Sequence, residues 1–305
     1  MDKFTNKAKE FFVSVKLTRW QSDVIRLINE KKDVETVKRN IDILITDKGF
    51  PPTLRHVIWK KLVGNKIRIN KSLFQNLMEK ALKSYTDDTL IKKDIDRTFS
   101  YFTKSESFTN VLAEAALLLE MFTLYRPDIK YIQGMSYVMT MLLLHYEPYI
   151  AFKVFCNLVL TKSFLYKTYL FKKKYIERIH RALEYIVSKN YPALYRYLRV
   201  NRLEIWNIFW IEWVYAMFLR TFDLRTCFIL WDLILLKDDL FIFKLNYVVF
   251  GILDEHFQEI NKNNFFESCR LILLQNQEKI LMRVYHDTNH DFDVLYIRKI
   301  IHNLV

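Results

Sequence analysis

The chain has 305 residues, is 51% hydrophobic and carries a formal net charge of +13, with only four glycines and five prolines. Such a length supports one large core or two packed subdomains, while so few glycines exclude a Gly-rich phosphate loop, a dinucleotide-binding turn and a hairpin-rich sheet. The positive charge is dispersed and densest at Lys172-Lys173-Lys174, so solvated outer faces account for it better than a nucleic-acid site does.

In chain order, residues 1–44 form a basic, helix-prone flank. Trp20, Val24, Ile25, Leu27 and Ile28 mark an amphipathic helix within it. Gly49-Phe50-Pro51-Pro52 interrupts the pattern, and proline at a helix start introduces the segment His56–Gly64, with Gly64 as its stop. A helix is expected from Leu73 to about Leu90, followed by the motif Ile91-Lys92-Lys93-Asp94-Ile95-Asp96-Arg97-Thr98. Between Thr109 and Tyr125, apolar residues recur at helical spacing until Pro127. The motif Tyr131-Ile132-Gln133-Gly134-Met135 then lies in a loop, from which a helix Met135–Leu144 departs. Another helix starts at Glu147-Pro148, and helices continue past a turn at Tyr191-Pro192 to a surface loop at Asp287–Asp291. Ile205–Leu219 is the most apolar stretch. It reads as a buried core helix, because it is shorter than the roughly 20 residues of a membrane span.

The three cysteines, Cys156, Cys227 and Cys269, are far apart and suggest neither a disulfide framework nor a zinc site. The seven histidines are scattered, and the start of the chain lacks the apolar stretch of a signal peptide. A reducing, cytoplasmic setting and an all-α fold are expected.

Two side chains stand out chemically. Arg97 offers a planar fork of donors suited to phosphate oxygens, and Asp94, one helical turn earlier, is placed to orient it. Gln133 carries both an acceptor and donors for a water and an anion, and Gly134 permits a positive φ or close backbone approach. Tyr131 would wall the site or anchor its loop. Read separately, the first motif is more commonly an ordinary i,i+3 surface ion pair and the second an ordinary turn.

Taken together and in order, these segments resemble the TBC domain of Rab GTPase-activating proteins over roughly residues 45–260. Gly49-Phe50-Pro51-Pro52, Arg55 and Trp59 are similar to its opening G-I-P-x-x-L-R-x-x-x-W segment. Asp94, Arg97 and Thr98 match its arginine-finger motif, Tyr131, Gln133 and Gly134 its glutamine-finger motif, and Phe218 to Leu224 with Trp231 and Asp232 its F-x-x-x-F-P-L…W-D stretch. The departures are Phe50 for Ile, Ser100 for Pro, Lys130 for Gly and Asp223 for Pro.

The resemblance implies a multi-helix, two-lobed, all-α fold over residues 45–305, with an N-terminal catalytic lobe at about 45–165 and a C-terminal helical lobe at about 166–305. It implies an activator of a GTP-bound Rab-type GTPase in vesicle trafficking that acts on its partner without being a self-contained enzyme. Arg97 and Gln133 would be supplied in trans, with Asp94, Thr98, Tyr131 and Gly134 supporting them. Gly49, Arg55, Trp59, Trp231 and Asp232 would be structural. No cofactor is needed, since GTP and Mg²⁺ come with the partner, and no nucleic acid or metal site is expected. Peripheral contact with endomembranes is compatible with the basic charge. The rival reading is an adaptor that holds a GTPase without stimulating it.

Overall fold

A computed structural model describes residues 19–30, 33–48, 50–84, 90–98, 106–161, 163–204, 213–237, 239–286, 297 and 299–300. Every regular element among them is a helix. The first half contains α1 (Arg19–Asn29), α2 (Val34–Lys48), α3 (Arg55–Val63), α4 (Lys71–Ser84), α5 (Leu90–Ile95), α6 (Glu106–Tyr125), α7 (Met135–Leu143) and α8 (Pro148–Thr161). The second half contains α9 (Ser163–Tyr169), α10 (Lys173–Asn190), α11 (Pro192–Val200), α12 (Leu224–Leu236), α13 (Phe241–Glu255), α14 (Phe265–Gln275) and α15 (Gln277–His286).

Local signals set the helix limits. The chain enters α3 through a 3-10 turn at Pro52–Leu54, and α3 ends at Gly64, whose N–H still reaches the Lys60 carbonyl while its φ of 69° turns the chain out of the helix. Pro148 and Pro192 each occupy a first helical position, where no N–H is needed. Asp223 is the N-cap of α12 and accepts from the Thr226 N–H at 2.7 Å, a role the usual proline cannot fill.

Packing follows the apolar stripes. In α10, Tyr175, Ile179, Ala182, Leu183, Ile186 and Val187 recur three or four residues apart and are buried, while Lys173, Lys174 and Arg181 face water. Burying each of the larger aliphatic side chains contributes about 1.5–3 kcal/mol, so a charge at Ile179 would break the stripe. α7 is buried at every position and serves as a core helix.

The helices form two groups. In the first, α4, α5, α7 and α8 surround α6; in the second, α10, α11, α12, α14 and α15 surround α13. α6 is long and apolar enough to cross a membrane, but here it is the centre of that packing. α3 joins the groups by contacting both α8 and α12, and α1 and α2 lie against α3. One contiguous hydrophobic core extends from Val24 to Ile297.

Three expectations need adjustment. The helix expected at 73–90 starts at Lys71 and is described to Ser84; residues 85–89 lie outside the described set. The arginine motif, which comes after α4 as expected, is itself helical: it forms most of α5, with Arg97 and Thr98 in the turn after it. The buried helix expected at 205–219 is buried but not α-helical where described: Trp213–Tyr215 form a wide π-type turn, and turns follow as far as Thr221. Met217 and Phe218 there adopt φ of 47° and 65°. Side chains from other elements satisfy this backbone, with Trp231 donating to the Met217 carbonyl at 3.1 Å and Tyr169 to that of Tyr215 at 3.2 Å. Residues 205–212, Gly49, Ser100 and the loop expected at 287–291 lie outside the described residues.

Candidate functional site

The two motifs meet at the Asp94 carboxylate. Asp94 sits on α5 and is 3% exposed. Its Oδ2 accepts from the Tyr131 hydroxyl, from the Gly134 N–H at 3.0 Å and from Ser136 Oγ at 2.8 Å. Thr98 Oγ1 lies 2.8 Å from both Ser136 Oγ and the Asp94 carbonyl, donating to one at a time. Tyr137 donates to the Arg97 carbonyl at 3.0 Å. The turn carrying Arg97 and the loop carrying Gln133 are therefore sewn together by buried polar bonds, each worth about 1 kcal/mol net and costly to leave half-made. Burial, together with the neighbouring Asp94 charge, pushes the Tyr131 phenol well above its ordinary range, so it remains a donor.

The Arg97 and Gln133 side chains lie at the open edge of this network. The Arg97 side chain is 64% exposed; its Nη2 is 3.4 Å from Asp94 Oδ1 and its Nε donates to the Lys93 carbonyl at 3.2 Å. These are long contacts that a better acceptor would displace. Gln133 is exposed, and its amide is held by no other described residue.

Gly134 has two reasons to be glycine. Its φ is 102°, and a Cβ there would lie 2.9 Å from the Tyr215 carbonyl carbon and 3.0 Å from the Ala216 nitrogen. The irregular turn at 213–221 is thus the floor under the Gln133 loop. Lys130, at the position where glycine is common, adopts φ of 62°, consistent with the backbone that glycine would favour.

A second charged centre is closed. Arg55 forks onto Asp232 with contacts of 2.8, 3.1 and 2.7 Å, and Trp59 Nε1 donates to the same carboxylate at 2.7 Å. Asp232 is fully buried and Arg55 is 8% exposed. Trp59 packs on Trp231 with centroids 5.5 Å apart and on His145 at 4.8 Å. Burial outweighs the Arg55 and Trp59 bonds and pushes the Asp232 carboxyl up to about 6, and burial pulls His145 down to about 4.

The structure thus brings Asp94, Arg97, Thr98, Tyr131, Gln133 and Gly134 to one place, and Arg55, Trp59, Trp231 and Asp232 to another. Ser136, Tyr137 and Tyr215 were not anticipated. Ser136 alone carried a signal, as a hydroxyl within an otherwise apolar helix start. No group of three or more histidines, cysteines and carboxylates able to hold a metal occurs among the described residues, and the three cysteines are buried and unpaired.

A family model for the Rab-GTPase-TBC domain matches residues 52–260, which include both centres. TBC1 domain family member 14 of Rattus norvegicus is 25% identical over 251 residues, covering 74% of this chain and 35% of that protein. Drainin of Dictyostelium discoideum is 20% identical over 330 residues, covering 85% of this chain and 74% of its own length. The chain therefore spans 35% of the TBC1 relative. Among solved structures, the Chlamydomonas flagellar RabGAP TBC domain superposes with a TM-score of 0.66 at 17% identity, covering 90% of this chain and 97% of its own. The Ypt/Rab-GAP domain of Gyp1p gives 0.53 at 17% identity, covering 92% and 96%. These superpositions establish the shared helical fold. By its match over residues 52–260, the chain belongs to the Rab-GTPase-TBC domain family.

Proposed function

We propose that this chain accelerates GTP hydrolysis by a Rab-type small GTPase, lending it Arg97 and Gln133. The observation that carries this reading is the shared Asp94 carboxylate. It is satisfied by Tyr131, Gly134 and Ser136, leaving the Arg97 side chain largely exposed beside an exposed Gln133.

In the complex, Arg97 leaves its long contact with Asp94 and donates to the phosphate oxygens as charge accumulates on them. An arginine supplied in this way is worth about 10³–10⁵ in rate, or roughly 4–7 kcal/mol of barrier. Gln133 accepts a hydrogen bond from the attacking water through its carbonyl and donates to the γ-phosphate through its amide. Asp94, Thr98, Tyr131 and Gly134 position both groups. GTP and Mg²⁺ are the partner's, and a cytoplasmic location with peripheral contact to endomembranes follows from where such a partner resides.

The test is phosphate release from a panel of GTP-loaded Rab proteins, with wild type beside Arg97→Ala and Gln133→Ala. Stimulation of one or more Rabs that both variants lose supports the reading. Binding to a GTP-loaded Rab without stimulation by wild type would replace it with the adaptor reading.

A further inference from the structure

Beside the Gln133 loop lies an aromatic side chain whose exposure the fold does not require. Phe171 follows α9 in a turn with φ of 48°, a conformation ordinarily left to glycine, and is 55% exposed. Its ring rests on Tyr215 at 5.8 Å between centroids. Tyr169, two residues earlier, stacks on the same Tyr215 at 5.7 Å and donates to its carbonyl. Tyr215 in turn forms the backbone floor beneath Gly134. One side chain therefore separates Phe171 from the loop that carries Gln133. Next in sequence come Lys172, Lys173 and Lys174, all exposed; among the described residues, only Lys173 approaches a carboxylate, that of Glu177, and at 3.9 Å. They stand at the positive end of α10, where basic side chains gain nothing from the helix.

We infer, on the basis of the GTPase-activating role proposed above, that Phe171 is a docking anchor for the GTPase and that Lys172–Lys174 steer an acidic patch of that partner onto it. A specific complex buries about 800 Å² on each side, far more than two inserted side chains supply. A partner seated over Arg97 and Gln133 must therefore extend over neighbouring surface, and an exposed aromatic ring on a rigid base is the residue type that anchors such contacts. The lysines act on encounter and the ring on residence.

Hydrolysis by a stimulated Rab is measured against increasing concentrations of the chain, for wild type, Phe171→Gly and Lys172→Glu/Lys174→Glu. Phe171→Gly removes the ring and relieves the positive φ, so the turn is retained. The expected result is a tenfold or greater rise in half-saturating concentration for Phe171→Gly with the saturated rate unchanged. The lysine variant should show a similar rise that shrinks as salt is raised. Wild-type behaviour of both variants in a system where Arg97→Ala is inactive overturns the inference and leaves the GTPase-activating role standing. Unchanged hydrolysis together with lost sedimentation on phosphatidylserine vesicles assigns the patch to membranes and also overturns it. If wild type neither binds nor stimulates any Rab, both the role and the anchor fall.

Discussion

Asp94 and Asp232 are both buried carboxylates beside an arginine, yet they hold that arginine in opposite ways. At Asp232 the guanidinium of Arg55 is itself buried and makes three short contacts, so its charge is spent on the carboxylate. At Asp94 a tyrosine, a serine and a backbone N–H occupy the best acceptor positions, and Arg97 is left at 3.4 Å with most of its side chain in water. A buried ion pair of the first kind costs much to break and does little else. The second arrangement fixes where an arginine begins without consuming its donors. The same pair of residue types therefore serves as a rivet between the two helix groups at Asp232 and leaves a poised group at Asp94.

Several substitutions break or sharpen that contrast. Arg97→Ala should reduce stimulated hydrolysis by about 10³-fold or more, roughly 4 kcal/mol, with the thermal midpoint nearly unchanged, read by single-turnover assay and melting together. Asp232→Ala should do the reverse. It leaves the Arg55 charge buried and the Trp59 N–H unpaired, at a cost of about 3–5 kcal/mol by denaturant titration, while the molecules that remain folded keep their activity. A double replacement of Arg55 and Asp232 by apolar residues of similar size should cost less than Asp232→Ala alone.

The closed centre also carries a pH signature. Burial lowers His145 from its ordinary 6.5 to about 4, so the unfolded chain binds this proton first. The stability contributed by the neutral ring is fully present above pH 6.5 and is lost as pH falls toward 4, by at most about 3 kcal/mol. Asp232, raised toward 6, contributes in the opposite sense: its share is present below about pH 4 and is lost as pH rises through 6. Comparing wild type with His145→Gln across pH 4–7 isolates the histidine, whose removal should flatten the acid loss.

Smaller effects are expected nearer the poised group. Gly134→Ala should cost about 2 kcal/mol, since the added Cβ meets the Tyr215–Ala216 backbone and φ is 102°, and it should lower stimulation by displacing Gln133. Tyr137→Phe, which removes the bond to the Arg97 carbonyl, should cost about 1 kcal/mol and reduce the stimulated rate only slightly.

Much of this organisation was legible in the sequence because it is local. The stop at Gly64, the proline opening α8, the turn at Tyr191-Pro192 and the amphipathic stripe of α1 depend on neighbours a few residues away. The ordered motifs around Arg97 and Gln133 also identified the residues that meet at one site. What was not legible depends on distant partners. Nothing near Arg55 points to Asp232, 177 positions later, and that pairing appears only when α3 packs on α12. The stretch 213–221 has the apolar content of a core helix, but its Met217 and Tyr215 carbonyls accept from Trp231 and Tyr169 elsewhere in the chain, so composition misread its backbone. Tyr215 and Phe171 carry no motif; their meaning comes from lying under and beside the Gln133 loop.

In the proposed function, Arg97 is held available for a charge that exists only during hydrolysis. The most direct measurement is the affinity of the chain for a Rab loaded with GDP and aluminium fluoride, which mimics the transferring phosphoryl group, compared with the same Rab loaded with GDP alone. Wild type should bind the mimic at least about 100-fold more tightly, and Arg97→Ala should lose that preference. Equal preference for the mimic in wild type and Arg97→Ala would contradict it.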